Sequence, residues 1–247
     1  MPSIITQAPV RNQAFYMDFA TFQAEDELFM APTNYLKANS AAFNQLLDLQ
    51  LGADPTAGQS DENPIVLDGV SKVDFERFLG VAVAANYQGE PPVALGIPYW
   101  LSVLKLANLW GFNDLRRKAI GAISSGELSI MERLSYGRLL KVEKWVAQGY
   151  TELVDRREMM TEAEVGQIGW NAMLKICKLR EEFYSLKQSA SGPQASTVHS
   201  PVTSASAVRQ AFAVELEEIR AVAHALMVPV AGNSGDSDLG SEPDART

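Results

Sequence analysis

"SDENPIVLDGVSKVDFERFLG", residues 60–80, is the stretch on which the reading of the fold turns. Polar residues lead into one short apolar run, Ile65-Val66-Leu67, and four residues later the apolar spacing becomes helical. A strand this short cannot stand alone, because a sheet needs about three strands for independent stability. The "DG" at 68–69 turns the chain. Ser71 and Asp74, three residues apart, then have the form of a capping box. In such a box the hydroxyl accepts from an unpaired backbone N–H and the carboxylate sits at the positive end of the helix. Phe75, Phe78, Leu79 and Ala82 supply the buried stripe. The stretch therefore predicts strand, turn and capped helix, and it requires partner strands elsewhere.

Those partners lie upstream. Residues 15–31, "FYMDFATFQAEDELFMA", alternate aromatic and Thr residues with others, break at "ED" and resume, as a β-hairpin does. From Thr33 the period changes: Leu36, Ser40, Phe43 and Leu47 share one face of a helix. Residues 52–64, "GADPTAGQSDENP", read as a loop. Downstream of the opening stretch, "NYQGEPPVALGIP" interrupts the helix, with Pro91 and Pro92 excluding regular helical structure. Pro98 suits a first helical turn, and Trp100, Leu101, Leu104 and Ala107 continue at helical spacing. "GF" at 111–112 breaks that helix, and Phe112, Leu115, Ala119 and Ile123 form the stripe of its partner in a helical hairpin.

Beyond residue 124 every periodic segment is helical. Leu128, Met131, Leu134 and Leu139 mark one helix, and Val142, Trp145, Val146, Tyr150 and Leu153 another. Thr161 with Glu164 is a second capping-box match, opening the series Val165, Ile168, Ala172, Ile176, Leu179, Phe183. Residues 188–206 are Ser, Ala, Thr and Pro with almost no large apolar side chain, the composition of a disordered linker. Residues 207–228 form a last amphipathic helix, followed by a polar, acidic tail at 229–247. Strands followed by a run of helices predict an α+β fold with helices covering a small sheet.

The composition bounds the function. The 247 residues are 47% apolar, enough for a sizeable core, and carry a formal net charge of −9. That charge argues against a phosphate-backbone binder, so no nucleic-acid partner is expected. A local basic run such as "LRRK" at 115–118 reads as the solvated face of a helix. Cys177 is the single cysteine and sits among Met173, Ile176 and Leu179, as a small core residue does. No signal peptide and no apolar run of membrane-spanning length is visible, so a soluble intracellular protein, in cytoplasm or nucleus, is expected.

Catalysis finds no constellation of residues. His199 falls in the linker and His224 on the last helix, and these are the two histidines of the chain. A Ser–His–acid triad would need His224 brought onto the folded core, with no G-x-S-x-G turn to meet it. The spacing of a two-histidine zinc site, a dinucleotide-binding glycine pattern and a phosphate-cradling Gly-Lys-Ser are all missing. The carboxylates of "EDE", "SDEN" and "REE" belong to polar surface runs. The sequence predicts no enzyme, no cofactor, no metal and no small-molecule substrate.

Taken in order, "SDENPIVLDGVSKVDFERFL", "WLSVLKLANLWGFNDLRRKAI", "WVAQGYTELVDR" and "EAEVGQIGWNAMLKICKLREE" resemble the BTB/POZ-domain proteins of mushroom-forming fungi. The resemblance runs from Phe15 to Glu182. It implies a BTB/POZ domain at 12–123, a small β-sheet flanked by α-helices, and an all-helical C-terminal extension at 124–187. It further implies a non-enzymatic protein–protein interaction module, a homodimerising scaffold or regulator, with itself and further proteins as partners. The dimer surface it implies comes from Phe15, Met17, Asp18, Phe19, Thr33, Leu36 and Phe43. Relatives build a charged pocket near the dimer axis from the first-strand acid, here Asp18, and a basic residue after the Pro that ends the second strand. This chain has Thr33 there. The alternative role, substrate adaptor of a cullin-type ubiquitin ligase, is weakened because no Glu lies between Glu27 and Glu62, where such relatives carry their cullin contact; Asp48 is a poor substitute. In the last helix Val208, Phe212, Leu216 and Ile219 form an apolar stripe. It docks on the chain's own extension, or, as a partner-binding helix, in the groove of a partner or a second copy of the chain, or it stays undocked and frayed.

Overall fold

The computed structural model describes residues 10–12, 16–83, 95–190 and 203–227. Outside that range fall Phe15 and the rest of 13–15, the Pro91-Pro92 interruption, most of the expected linker with His199, and the acidic tail.

The architecture is α+β. Strands β1 (Phe19–Ala24) and β2 (Glu27–Pro32) pair antiparallel with Phe22 opposite Phe29, turning through Glu25 and Asp26. The two-residue β3 (Ile65–Val66) lies parallel to β1 on its other side, so the sheet order is β2-β1-β3. Main-chain bonds from Leu67 N–H to Gln23 O (2.8 Å) and from Thr21 N–H to Gly58 O (2.8 Å) lengthen that short pairing at both ends. Ile65 is buried against β1. The short strand of the opening stretch thus survives as an addition to the hairpin.

The 52–64 segment is a loop, as its composition predicts, but an ordered one. Asp54 accepts from Thr56 N–H (2.9 Å), Thr56 Oγ1 (2.7 Å) and Asn63 Nδ2 (2.8 Å). Gly58, at φ 75°, lies so close to the sheet that a Cβ there would meet Ile65 Cδ1 at 2.9 Å. Only glycine satisfies both the dihedral and the approach.

The helix expected from Thr33 to Leu47 is two helices, α1 (Thr33–Asn39) and α2 (Ala41–Ala53), with Ser40 extended between them. Ser40 Oγ caps α2 by accepting from Phe43 N–H (2.8 Å) and donates to Trp110 O. α3 (Lys72–Ala82) begins after Ser71 as expected, but the Ser71 hydroxyl makes no capping bond. The Glu25 carboxylate, delivered from the hairpin turn, accepts from Lys72 N–H at 3.3 Å, and Asp74 is held instead by Lys105 Nζ at 2.7 Å. Two acids therefore replace the expected hydroxyl at the positive end of the helix.

α4 (Ile97–Trp110) and α5 (Asn113–Ser124) form the expected hairpin, turned at Gly111. A second hairpin follows from α6 (Ile130–Leu139) and α7 (Glu143–Asp155). α6 opens on a full capping box, Ser129 with Glu132, that sequence reading overlooked. The Thr161–Glu164 box forms as expected and opens α8 (Glu162–Ile168). Gly169, at φ 85°, then breaks the predicted single helix before α9 (Trp170–Ala190). The last amphipathic segment is also two helices, α10 (Ser204–Ala211) and α11 (Ala213–Met227), which meet at Phe212.

The core has two parts. One holds the sheet against α1–α5 around a cluster of Phe22, Phe43, Phe75, Phe78, Trp110 and Phe112, whose rings meet at centroid distances of 5.1–6.0 Å, mostly edge to face. The other lies within α6–α11 around Tyr150, Leu153, Ile176 and Phe212. Arg116 ties them together. Read from sequence as part of a solvated face, it is 7% exposed, donating from Nε to Asn108 Oδ1 (2.7 Å) and from Nη2 to Lys141 O (2.8 Å). Asn108 in turn donates to Leu140 O (2.9 Å), so the α4–α5 hairpin grips the α6–α7 turn by main-chain oxygens.

Candidate functional site

The residues that could have carried chemistry stay apart. His224 is exposed on α11, and Cys177 is half-buried with Sγ 3.6 Å from Met173 Sδ. Among the described residues no group of three His, Cys, Asp or Glu side chains could hold a metal ion. No described helix is long and apolar enough to cross a membrane. A cleft of about 390 Å³ lies between the α1–α2 junction, the Gly111 turn and the end of α11, lined by Ser40, Asn108, Asn113 and Met227 among others. Asn113 Nδ2 donates across it to Met227 O at 3.0 Å.

The residues expected at a dimer surface divide sharply. Met17, Asp18 and Phe19 are exposed at the start of β1. Leu36 and Phe43 are fully buried, because their helix faces pack into the aromatic cluster, so neither can form an interface. Thr33 is buried too. Its N–H (2.8 Å) and hydroxyl (3.1 Å) both donate to Asp18 O, and Asn34 Oδ1 accepts from Asp18 N–H at 3.0 Å. The two positions at which the resemblance would place a charged pocket do meet here, but through a backbone carbonyl. The Asp18 carboxylate points to solvent near Arg11, 3.9 Å away.

What the sequence reading missed is the outer face of the sheet. The register sets Phe19 opposite Pro32, Thr21 opposite Met30 and Gln23 opposite Leu28, with Val66 beside Gln23. Side chains alternate across a strand, so these residues share one face, and Ala20, Phe22, Ala24, Phe29 and Ile65 share the inner one. On the outer face Met30 is 71% exposed, Phe19 53%, Val66 49% and Leu28 44%, whereas Thr21 and Pro32 are buried. The signal was present in "ELFMAP", where Leu28 and Met30 flank Phe29 at strand spacing, and only one of the two sets can face inward.

The second candidate surface is covered. Val208, Phe212, Leu216 and Ile219, assigned above to a possible partner-binding helix, are all buried. α10 packs on α7 and α9, and α11 on α7 and α4. Phe212 stacks on Tyr150 with centroids 3.8 Å apart, and Lys175 Nζ lies 5.0 Å from the Phe212 ring centroid. Glu215 accepts from Arg138 Nε (2.8 Å) and from the Tyr150 hydroxyl (2.9 Å), while Arg138 Nη2 also donates to that hydroxyl. Burial first, and then the Glu215 carboxylate, push the Tyr150 hydroxyl well above its ordinary pKa, so it remains a neutral donor. At the other edge Glu143 faces Arg220 (3.1 Å) and Arg209 (3.8 Å). The stripe is therefore satisfied within the chain, and these four residues offer nothing to a partner while it stays docked.

Asp48, the residue weighed as a cullin contact, is exposed on α2 and accepts from Asn44 Nδ2 at 3.1 Å. Comparison of the chain with family models, with curated proteins and with solved structures found no match.

Proposed function

We propose that this chain is a non-enzymatic protein–protein interaction module of the BTB/POZ kind, working as a homodimeric scaffold or regulator. The observation that carries the reading is the outer face of the sheet, where Phe19, Leu28, Met30 and Val66 lie exposed around the buried Thr21 and the polar Gln23. Exposed large apolar side chains gathered on one sheet face support an interaction surface. The sheet order supports the reading as well, since a short third strand beside a hairpin, followed by a helix that joins the cluster beneath, is the arrangement that the resemblance implies.

Two measurements test it. Light scattering of the purified full-length protein should give a mass above the 27.0 kDa of one chain. A pull-down with the tagged protein, read by mass spectrometry, should recover the chain itself with further proteins. A cullin in the eluate would move the reading to the adaptor role. A single-chain mass at every concentration, with nothing captured, overturns it.

A further inference from the structure

We propose that the open edge of β2 is a self-pairing surface. On this reading the β2 strands of two copies join antiparallel about Phe29 and make one six-stranded sheet. The inference rests on the interaction-module reading above and names the surface that would serve it.

The backbone directions follow from bonds already described. Thr21 N–H and Gln23 O point to the Gly58–Leu67 side of β1. The alternate residues Ala20, Phe22 and Ala24 therefore bond to β2, through their register partners Ala31, Phe29 and Glu27. That leaves the N–H and C=O groups of Leu28 and Met30 directed at an open edge, since β2 is the outermost strand among the described residues. Proteins ordinarily blunt such an edge with charge, proline or a covering element. Between Glu27 and Pro32 this one has Leu28, Phe29, Met30 and Ala31, with neither charge nor proline.

The sequence of the edge is self-complementary. Pairing about Phe29 sets Leu28 of one copy opposite Met30 of the other, twice. Each pair can exchange two N–H···O=C bonds, four in all, while the exposed Leu28 and Met30 side chains cover each other. Glu27 then falls opposite Ala31, and the two Glu27 carboxylates lie roughly 14 Å apart along the strands. That exceeds the screening length of about 8 Å at physiological salt. Lys72 further neutralises the acidic turn within each copy, 2.8 Å from Asp26 and 4.0 Å from Glu27. A parallel pairing would instead set acid against acid. The outer faces of the two sheets run together, bringing both sets of Leu28 and Met30 side by side at the seam.

Met30→Pro tests this in the full chain. Proline is tolerated on an edge strand where its N–H faced outward, so the β1–β2 ladder is kept while one edge donor per copy is lost. Sedimentation velocity over a range of micromolar concentrations should show a reversible dimer for wild type. Met30→Pro should weaken it by about 10–100-fold, as expected for two lost hydrogen bonds, with an unchanged circular dichroism spectrum. Leu28→Lys with Met30→Lys, at exposed positions that cannot disturb the core, should do the same and decides the matter if the proline variant fails to fold. A dimer that survives the double lysine variant overturns the edge proposal and leaves the dimeric reading standing. A wild type that stays at 27.0 kDa throughout overturns both.

Discussion

Glu164 offers the clearest quantitative test of how the helical extension is held. Its carboxylate takes a bidentate pair from Arg156, with Nη1 at 2.7 Å and Nη2 at 2.9 Å, and closes the cap of α8 by accepting from Thr161 N–H at 2.7 Å. The Arg156 bonds first, then the Thr161 N–H, carry the Glu164 pKa from its ordinary 4.5 down to about 2. A group whose folded pKa is depressed contributes stability above its unfolded pKa and loses it as the pH falls through the folded one. The window here is therefore pH 4.5 down to about 2. The full shift corresponds to about 3 kcal/mol. Both side chains keep some solvent, 15% exposure for Glu164 and 23% for Arg156, so screening reduces this to about 1–2 kcal/mol. Glu164→Gln keeps an N3 amide that can still bond the Thr161 N–H, and it removes the charge. Urea denaturation followed by circular dichroism should find the variant about 1–2 kcal/mol less stable near neutral pH. The gap should close as the pH approaches the bottom of that window, where the wild-type carboxylate is protonated. A gap that does not change with pH would refute the assignment of the stability to the charge, and no gap at all would mean that α8 is held by packing alone.

Three further outcomes separate the observed contacts from those that the sequence suggested. Ser71→Ala should leave the melting temperature unchanged, whereas Ser40→Ala should cost about 0.5–2 kcal/mol, because only the second hydroxyl accepts from its helix; equal effects in thermal melts would contradict this. Arg116→Met should destabilise by about 2–4 kcal/mol by leaving Lys141 O and Asn108 Oδ1 unpaired at the junction of the two core regions, and a wild-type denaturation midpoint would show the junction to be idle. Phe212→Ser should lower stability by about 3–5 kcal/mol through loss of the buried ring. An unaltered melt accompanied by lost pull-down partners would restore the idea of a partner-binding helix.

Much of this fold could be read from apolar spacing, because burial imposes the period directly: the hairpin and the helical hairpin follow from it, and the Thr161 cap follows from the Thr-x-x-Glu spacing. The breaks at Ser40, Gly169 and Phe212 could not. In each case the following helix continues the apolar stripe of the one before, so the period crosses a break that backbone geometry, and not side-chain spacing, creates. The charges that pair in or beside the core, the buried Arg116 and the half-buried Glu215, were hidden by a prior that places charge outside. Yet Arg116 lies four residues after Phe112 and three before Ala119, and Glu215 lies three after Phe212 and four before Ile219. Both stand on the buried stripe, which was the available sign that each would find a partner inside. The interface residues failed for a different reason. Leu36 and Phe43 are apolar because they belong to the chain's own core, and the sequence does not say which of two apolar sets a sheet turns outward.

The docking of α10 and α11 has a consequence for synthesis. Leu153, Ile176 and Tyr150 line a groove built from helices translated earlier, and its cover, from Val208 to Ala223, emerges after all of them. The sheet and α1–α5 enclose their aromatic cluster from residues already made by Trp145. The extension cannot, because Arg138 and Tyr150 wait for Glu215, and Glu143 waits for Arg209 and Arg220. A growing chain therefore carries every residue of the region around the sheet before α11, which completes the second region, has been made. In the interval it displays an apolar trough edged with two unmatched charges of opposite sign, and a chain interrupted before residue 203 would keep that trough open.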